Sequence, residues 1–180
     1  GHPTSCLSAA DLVSALFFHA MHFDPTNPNN PNNDRFILSK GHASPLLYAA
    51  WKEVGVISDQ ELFSYRKFDS PLEGHPTMRF PYSEAATGSL GLGLSVGAGM
   101  ALSARTDGRD FKTYVLLGDG ETTEGSVWEA AEIAHFYKLN NLIAIVDCNR
   151  LGQSAETVHG HHTHRYEEKF AAFGWKTFVV

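Results

Sequence analysis

Gly118-Asp119-Gly120-Glu121-Thr122-Thr123-Glu124-Gly125, read with Asp147-Cys148-Asn149-Arg150-Leu151, decides how this chain folds. Ahead of the first stretch, Lys112-Thr113-Tyr114-Val115-Leu116-Leu117 is β-branched and apolar, the composition of a buried strand. Behind it, Gly125 to Tyr137 places Val127, Trp128, Ala131, Ala134 and Phe136 at helical spacing. Leu142 to Val146 reads as a second buried strand, ending at Asp147. Two strands that finish in polar loops and are joined by one helix make a βαβ unit. Ligands of such sheets bind at the carboxyl ends of the strands.

The residues in those loops suit a phosphate and a hard cation. Asp119 offers carboxylate oxygens, Asn149 an amide oxygen and Leu151 a backbone carbonyl. Mg²⁺ takes oxygen ligands in octahedral geometry and commonly shares them with phosphates. Gly118 and Gly120 let backbone approach a ligand closely. The helix that follows brings amide donors and a positive dipole end. A Gly-Asp-Gly by itself marks only a tight turn. With the strand, helix, strand and downstream Asn around it, it reads as a diphosphate and metal site.

Outward from this centre, Ser8-Ala9-Ala10-Asp11 reads as a capping box for a helix ending near Phe23, before Pro25. Arg35 to Ser39 is a short strand, with Lys40-Gly41-His42 in the loop at its carboxyl end. Helices are expected over Ser44–Val54, closed by Gly55, and over Ser58–Lys67. Phe68 to Thr87 is irregular. Gly88-Ser89-Leu90-Gly91-Leu92-Gly93 opens a helix to about Arg105, whose glycines need close packing against backbone or ligand to offset their cost. Gly152 to Gly160 is loop, Tyr166 to Phe173 helix and Lys176 to Val180 a last strand. Strands alternating with helices predict an α/β fold, a parallel sheet flanked by helices.

At 180 residues and 43% hydrophobic, the chain has enough material for a single domain with a sizeable core, residues 1–180. A net charge of −6 with no basic run argues against nucleic acid and membrane partners. Nothing in it is apolar enough to span a bilayer or resembles a signal peptide. Two cysteines, Cys6 and Cys148, make no disulfide framework and fit a reducing, cytoplasmic setting. The chain starts without Met and stops within the expected last strand, so it reads as a piece of a longer polypeptide, truncated at both ends; a processed small domain is the alternative.

Five motifs, in order, resemble transketolase: Gly1-His2-Pro3-Thr4-Ser5, Ser39-Lys40-Gly41-His42-Ala43, Glu73-Gly74-His75-Pro76, Thr87-Gly88-Ser89-Leu90-Gly91 and Asn149-Arg150-Leu151-Gly152-Gln153-Ser154. The likeness is greatest to animal-type enzymes and covers the whole chain. It implies most of the amino-terminal, pyrophosphate-binding domain of a thiamine-diphosphate enzyme. Such an enzyme moves a two-carbon ketol unit from a ketose phosphate to an aldose phosphate, in the pentose phosphate pathway. Dihydroxyacetone synthase, deoxyxylulose-phosphate synthase and a non-catalytic dimerisation module are the alternatives.

The resemblance also implies roles for single positions. Asp119, Asn149 and the Leu151 carbonyl match ligands of a divalent cation, Mg²⁺ or Ca²⁺. Ser5, His42, Gly88, Ser89, Leu90, Gly120 and Asn149 match contacts to thiamine diphosphate. His2, His42 and His75 match histidines lining the sugar-phosphate channel, and histidine is the side chain suited to moving hydroxyl protons near neutral pH. Glu124 matches an acid linking two active sites across a homodimer, with Glu129 beside it. Leu92 stands where the family usually carries Gln. His159, His161, His162 and His164 have no counterpart and read as a solvated loop rather than a metal site. Cys148 reads as a small buried residue, not a nucleophile. The glutamate that activates the cofactor's aminopyrimidine comes, in the family, from a second domain, so this chain alone is expected not to turn over.

Overall fold

The computed structural model describes residues 2–180; Gly1, first in the Gly-His-Pro-Thr-Ser motif, lies outside them. Three parallel strands, β1 (Arg35–Leu38), β2 (Thr113–Gly118) and β3 (Leu142–Asp147), form a sheet in that order. Leu38 is level with Leu116, and Gly118 with Asp147, so the three carboxyl ends share one edge. Alternate side chains point to opposite faces of the sheet. Phe36, Leu38, Tyr114 and Leu116 join one core with Val13, Phe17, Tyr48 and Trp51. Ile37, Val115 and Leu117 join the other with Leu94, Ala98, Val127 and Ala131.

The first core is covered by α1 (Pro3–Ser8), α2 (Ala10–Ala15), a π-helical turn over Leu16–Ala20, and α3 (Ser44–Val54). A short α4 (Asp59–Leu62) follows, with Ser58 and Glu61 closing a capping box. The second core is covered by α5 (Leu92–Thr106), α6 (Gly125–Phe136) and α7 (Thr163–Ala172). This is the expected parallel sheet flanked by helices. Gly55 closes α3 in the left-handed region, φ 93°, as its position predicts. Close packing offsets two of the α5 glycines: a methyl at Gly97 would come 2.5 Å from Val115, and one at Gly93 would collide with Ser39.

Three expectations fail. Ser8 is not a helix cap. Pro3 starts α1 earlier, as proline at the first helical position does, and Ser8 falls in its last turn. The helical run then stops at Ala20, because Met21 is extended. The helix expected to Lys67 ends at Leu62 and passes into turns, with Arg66 at φ 60°. Lys176–Val180 forms no strand among the described residues. It lines a groove of about 590 Å³ with Ile143 and Ile145 of β3. Apolar composition supplies a face, but a strand forms only where a neighbour takes its backbone hydrogen bonds.

Candidate functional site

The strand ends carry a buried polar layer. Asp119, 2% exposed, follows β2. Its Oδ1 accepts from Gly120 N at 2.9 Å, and its Oδ2 accepts from Arg150 N and Thr157 Oγ1, each at 2.8 Å. The loop after β3 is thereby drawn onto the loop after β2. Asn149 Oδ1 accepts from Leu151 N at 2.9 Å, and Asn149 Nδ2 donates to Asp147 Oδ2 at 3.2 Å. Arg150, between the two, sits at φ 59°, a conformation non-glycine residues hold only when their surroundings impose it. The Leu151 carbonyl accepts no hydrogen bond among the described residues.

These residues fit a hard divalent cation. The set is all oxygen: a carboxylate, a carboxamide and a free carbonyl on two facing loops. Asp119 Oδ1 takes one hydrogen bond and keeps acceptor capacity to spare. Among the described residues no cluster of three or more His, Cys, Asp or Glu side chains could hold a metal. His159, His161 and His162 precede α7, where a solvated loop is expected, and His164 falls instead in the first turn of that helix.

Behind this layer lies Glu121, 2% exposed, whose role the sequence reading missed. Its carboxylate accepts from Gly91 N at 2.8 Å, from Gly118 N at 3.1 Å and from the Ser39 hydroxyl. One side chain thus ties the glycine turn to the ends of β1 and β2. Burial pushes its pKa up, against those hydrogen bonds. In the turn, Gly88 has φ 137°, and a methyl there would lie 2.8 Å from the His75 ring. No other residue would let the turn and His75 approach so closely. Ser89 and Leu90 stand exposed on the turn, and Leu92 is 53% exposed at the head of α5.

The three histidines gather beside it. His2 N donates to the His42 carbonyl at 3.0 Å, and the two rings meet edge to face at 5.2 Å between centroids. Ser5 Oγ lies 3.0 Å from His42 Nε2. Burial holds the His42 pKa down at about 4, and the nearby charges of His2, Lys40 and His75 add to the effect. His42 is therefore neutral at pH 7, able to accept a proton at one ring nitrogen and donate at the other. His2 and His75 are exposed.

The remaining candidates are more peripheral. Gly120 opens the 3₁₀ turn after Asp119. Glu124 is exposed at the N-cap of α6, where its side chain makes no capping bond; Glu129 is exposed one turn on. Cys148 is half-buried, and burial with the Asp119 and Asp147 charges pushes its thiol up to about 11. That fits packing, not nucleophilic chemistry. The sequence reading also missed the buried pair of Lys40 and Asp147, 1% and 6% exposed. Its signal was available: opposite charges stand at the carboxyl ends of two strands of one sheet, Asp147 closing β3 and Lys40 two residues past β1.

The chain is similar to known proteins over its whole length. Residues 1–180 match the family described as transketolase, thiamine diphosphate binding domain. The chain is 53% identical to transketolase-like protein 2 of Bos taurus and 50% identical to transketolase of Homo sapiens, over 181 residues in each case. All of the chain is covered, and it spans 29% of the length of each relative. Among solved structures, transketolase from Leishmania mexicana superposes with a TM-score of 0.92 at 31% identity. That match covers 100% of this chain and 28% of the other.

Proposed function

Because the chain belongs to the transketolase family, matched through its thiamine-diphosphate-binding domain, we propose that it supplies the diphosphate- and metal-binding half of a ketol-transferring active site. The observation that carries this reading is the junction of two strand-end loops, Arg150 N on Asp119 Oδ2 at 2.8 Å, which gathers Asp119, Asn149 and Leu151. In this reading Asp119, Asn149 and the Leu151 carbonyl hold a divalent cation such as Mg²⁺. Ser5, His42, Gly88, Ser89, Leu90, Gly120 and Asn149 orient the cofactor. Thiamine diphosphate, when bound, supplies the carbanion and electron sink for moving a two-carbon unit from a ketose phosphate to an aldose phosphate.

The chain's own residues then manage protons. Neutral His42, with Ser5 Oγ at its Nε2, accepts from or donates to a sugar hydroxyl. His2 and His75 flank it, donating to substrate oxygens as charge develops there. Glu124 and Glu129 face a second copy in a homodimer. The free cysteines Cys6 and Cys148 fit a reducing cytoplasmic setting, and no helix of the described residues is long and apolar enough to cross a membrane. The pyrimidine side of the cofactor is met by a further domain, so the 180 residues alone do not turn over.

Calorimetric titration with thiamine diphosphate, with and without Mg²⁺, tests this. Binding by the wild-type chain should depend on Mg²⁺ and weaken at least about tenfold in Asp119→Asn. Metal-independent binding, or equal binding by a folded Asp119→Asn chain, would refute the metal assignment.

A further inference from the structure

Asp147 is the most heavily bonded carboxylate at the strand ends, and no role above uses it. Ser8 Oγ donates to both its oxygens, at 2.7 and 2.8 Å. Lys40 Nζ forms an ion pair with Oδ2 and also donates to the Ser5 carbonyl at 3.2 Å. The lysine stem reaches it across Gly118, whose added methyl would lie 3.7 Å from Lys40 Cδ. Asn149 Nδ2 donates to the same Oδ2 at 3.2 Å, and the Asp147 carbonyl accepts from Asp119 N at 3.2 Å. Three side chains, Ser8 of α1, Lys40 beyond β1 and Asn149 beyond β3, therefore converge on the Asp147 carboxylate.

A carboxamide has two chemically different ends, and only its oxygen serves a hard cation. A carboxylate beside Asn149 decides which end faces where. The amide nitrogen is drawn to Asp147, and an amide oxygen there would meet like charge. The oxygen is then forced to the other side, toward the Leu151 turn. We propose that Asp147 is a positioning residue, held by Lys40 and Ser8, that fixes the Asn149 carboxamide with its oxygen presented to a divalent cation. This rests on the reading of Asn149 as a cation ligand. Partners that orient a metal ligand without touching the metal are a general feature of such sites.

The test is Mn²⁺ binding in the presence of thiamine diphosphate, read by electron paramagnetic resonance, with circular dichroism to establish folding. Asp147→Asn alone would strand the buried Lys40 charge, so the main variant is K40Q/D147N, which keeps shape and removes both charges. Its Mn²⁺ affinity should fall about 10- to 100-fold, the usual cost of removing an outer partner. Adding Asn149→Asp should restore affinity, because a carboxylate presents oxygen on either side and needs no orienting. Ser8→Ala, which leaves the ion pair intact, should give a smaller loss. A folded K40Q/D147N chain that binds Mn²⁺ like wild type overturns the proposal, as does a loss that Asn149→Asp does not repair. If the wild-type chain itself binds no Mn²⁺, or Asp119→Asn binds equally well, the fault lies in the metal reading and this inference falls with it.

Discussion

The strand-end layer and the histidine rim lie side by side and are built on opposite principles. In the layer, Lys40, Asp119, Glu121 and Asp147 are between 1% and 6% exposed, and the chain itself partners each of them. On the rim, His2, His75, Ser89 and Leu151 are exposed, and the Leu151 carbonyl is free among the described residues. Burial explains the contrast. A charge taken out of water must be met by other groups, so a buried charged layer binds its own elements first. A group left at the surface keeps its valence for something outside the chain. Loss of a layer charge should therefore cost stability, with metal binding lost too at Asp119, which keeps acceptor capacity at Oδ1, and loss of a rim residue should appear as lost function alone.

The sharpest way to break this contrast is Lys40→Met. The substitution leaves the Asp147 carboxylate buried with no counter-ion, although Ser8 and Asn149 still donate to it. Removing one partner of a buried pair costs about 3–5 kcal/mol. Urea denaturation followed by circular dichroism should show a midpoint lowered accordingly. A loss under about 1 kcal/mol would mean that water reaches the pair and that the layer is no different from the rim.

His42 stands on the boundary and sharpens the comparison through pH. Its pKa in the folded chain is about 4, below the ordinary 6.5, chiefly because the ring is half-buried. The unfolded chain therefore binds the proton more tightly. Stability from this group is present above pH 6.5 and is lost as pH falls through about 4. His42→Asn does not titrate, so its stability should decline less than wild type across that interval. The difference should be about 1–2 kcal/mol once solvent screening at a half-buried site is allowed for. Parallel pH profiles for the two chains would place His42 with the exposed rim.

The same division marks what could be read from sequence. The βαβ unit, β1 and α3 were legible because apolar periodicity and Gly55 encode them locally. The rim was legible too: His2, His42, His75 and the glycine turn carry motifs that resemblance can match. The layer was not. Ser8 looked like a cap because its local neighbours permit it, and only the fold brings Asp147, 139 residues away, against its hydroxyl. Glu121 sat inside a recognised motif, yet its partners Ser39 and Gly91 lie on other elements. The tail from Lys176 to Val180 failed in the opposite sense: its composition suits a strand, but pairing is a property of two segments, and composition describes one.

The smallest effect on stability, and the largest separation of the two regions, is expected at His75→Ala. His75 is exposed, and its ring packs against Gly88, which has no side chain to lose contact with. Surface substitutions of this kind usually shift stability by less than about 0.5 kcal/mol. If His75 moves protons or donates to a substrate oxygen, ketol transfer by the complete enzyme should fall by about 10²- to 10⁴-fold while the melting temperature holds. The pairing of the two measurements matters more than either alone. A fall in activity matched by a fall in melting temperature would mean that His75 props the glycine turn. Unchanged activity would take it out of the proton chemistry and leave His42 and His2 to carry it. Only a large loss of turnover in an otherwise undisturbed fold fits a rim whose groups are held open for a ligand.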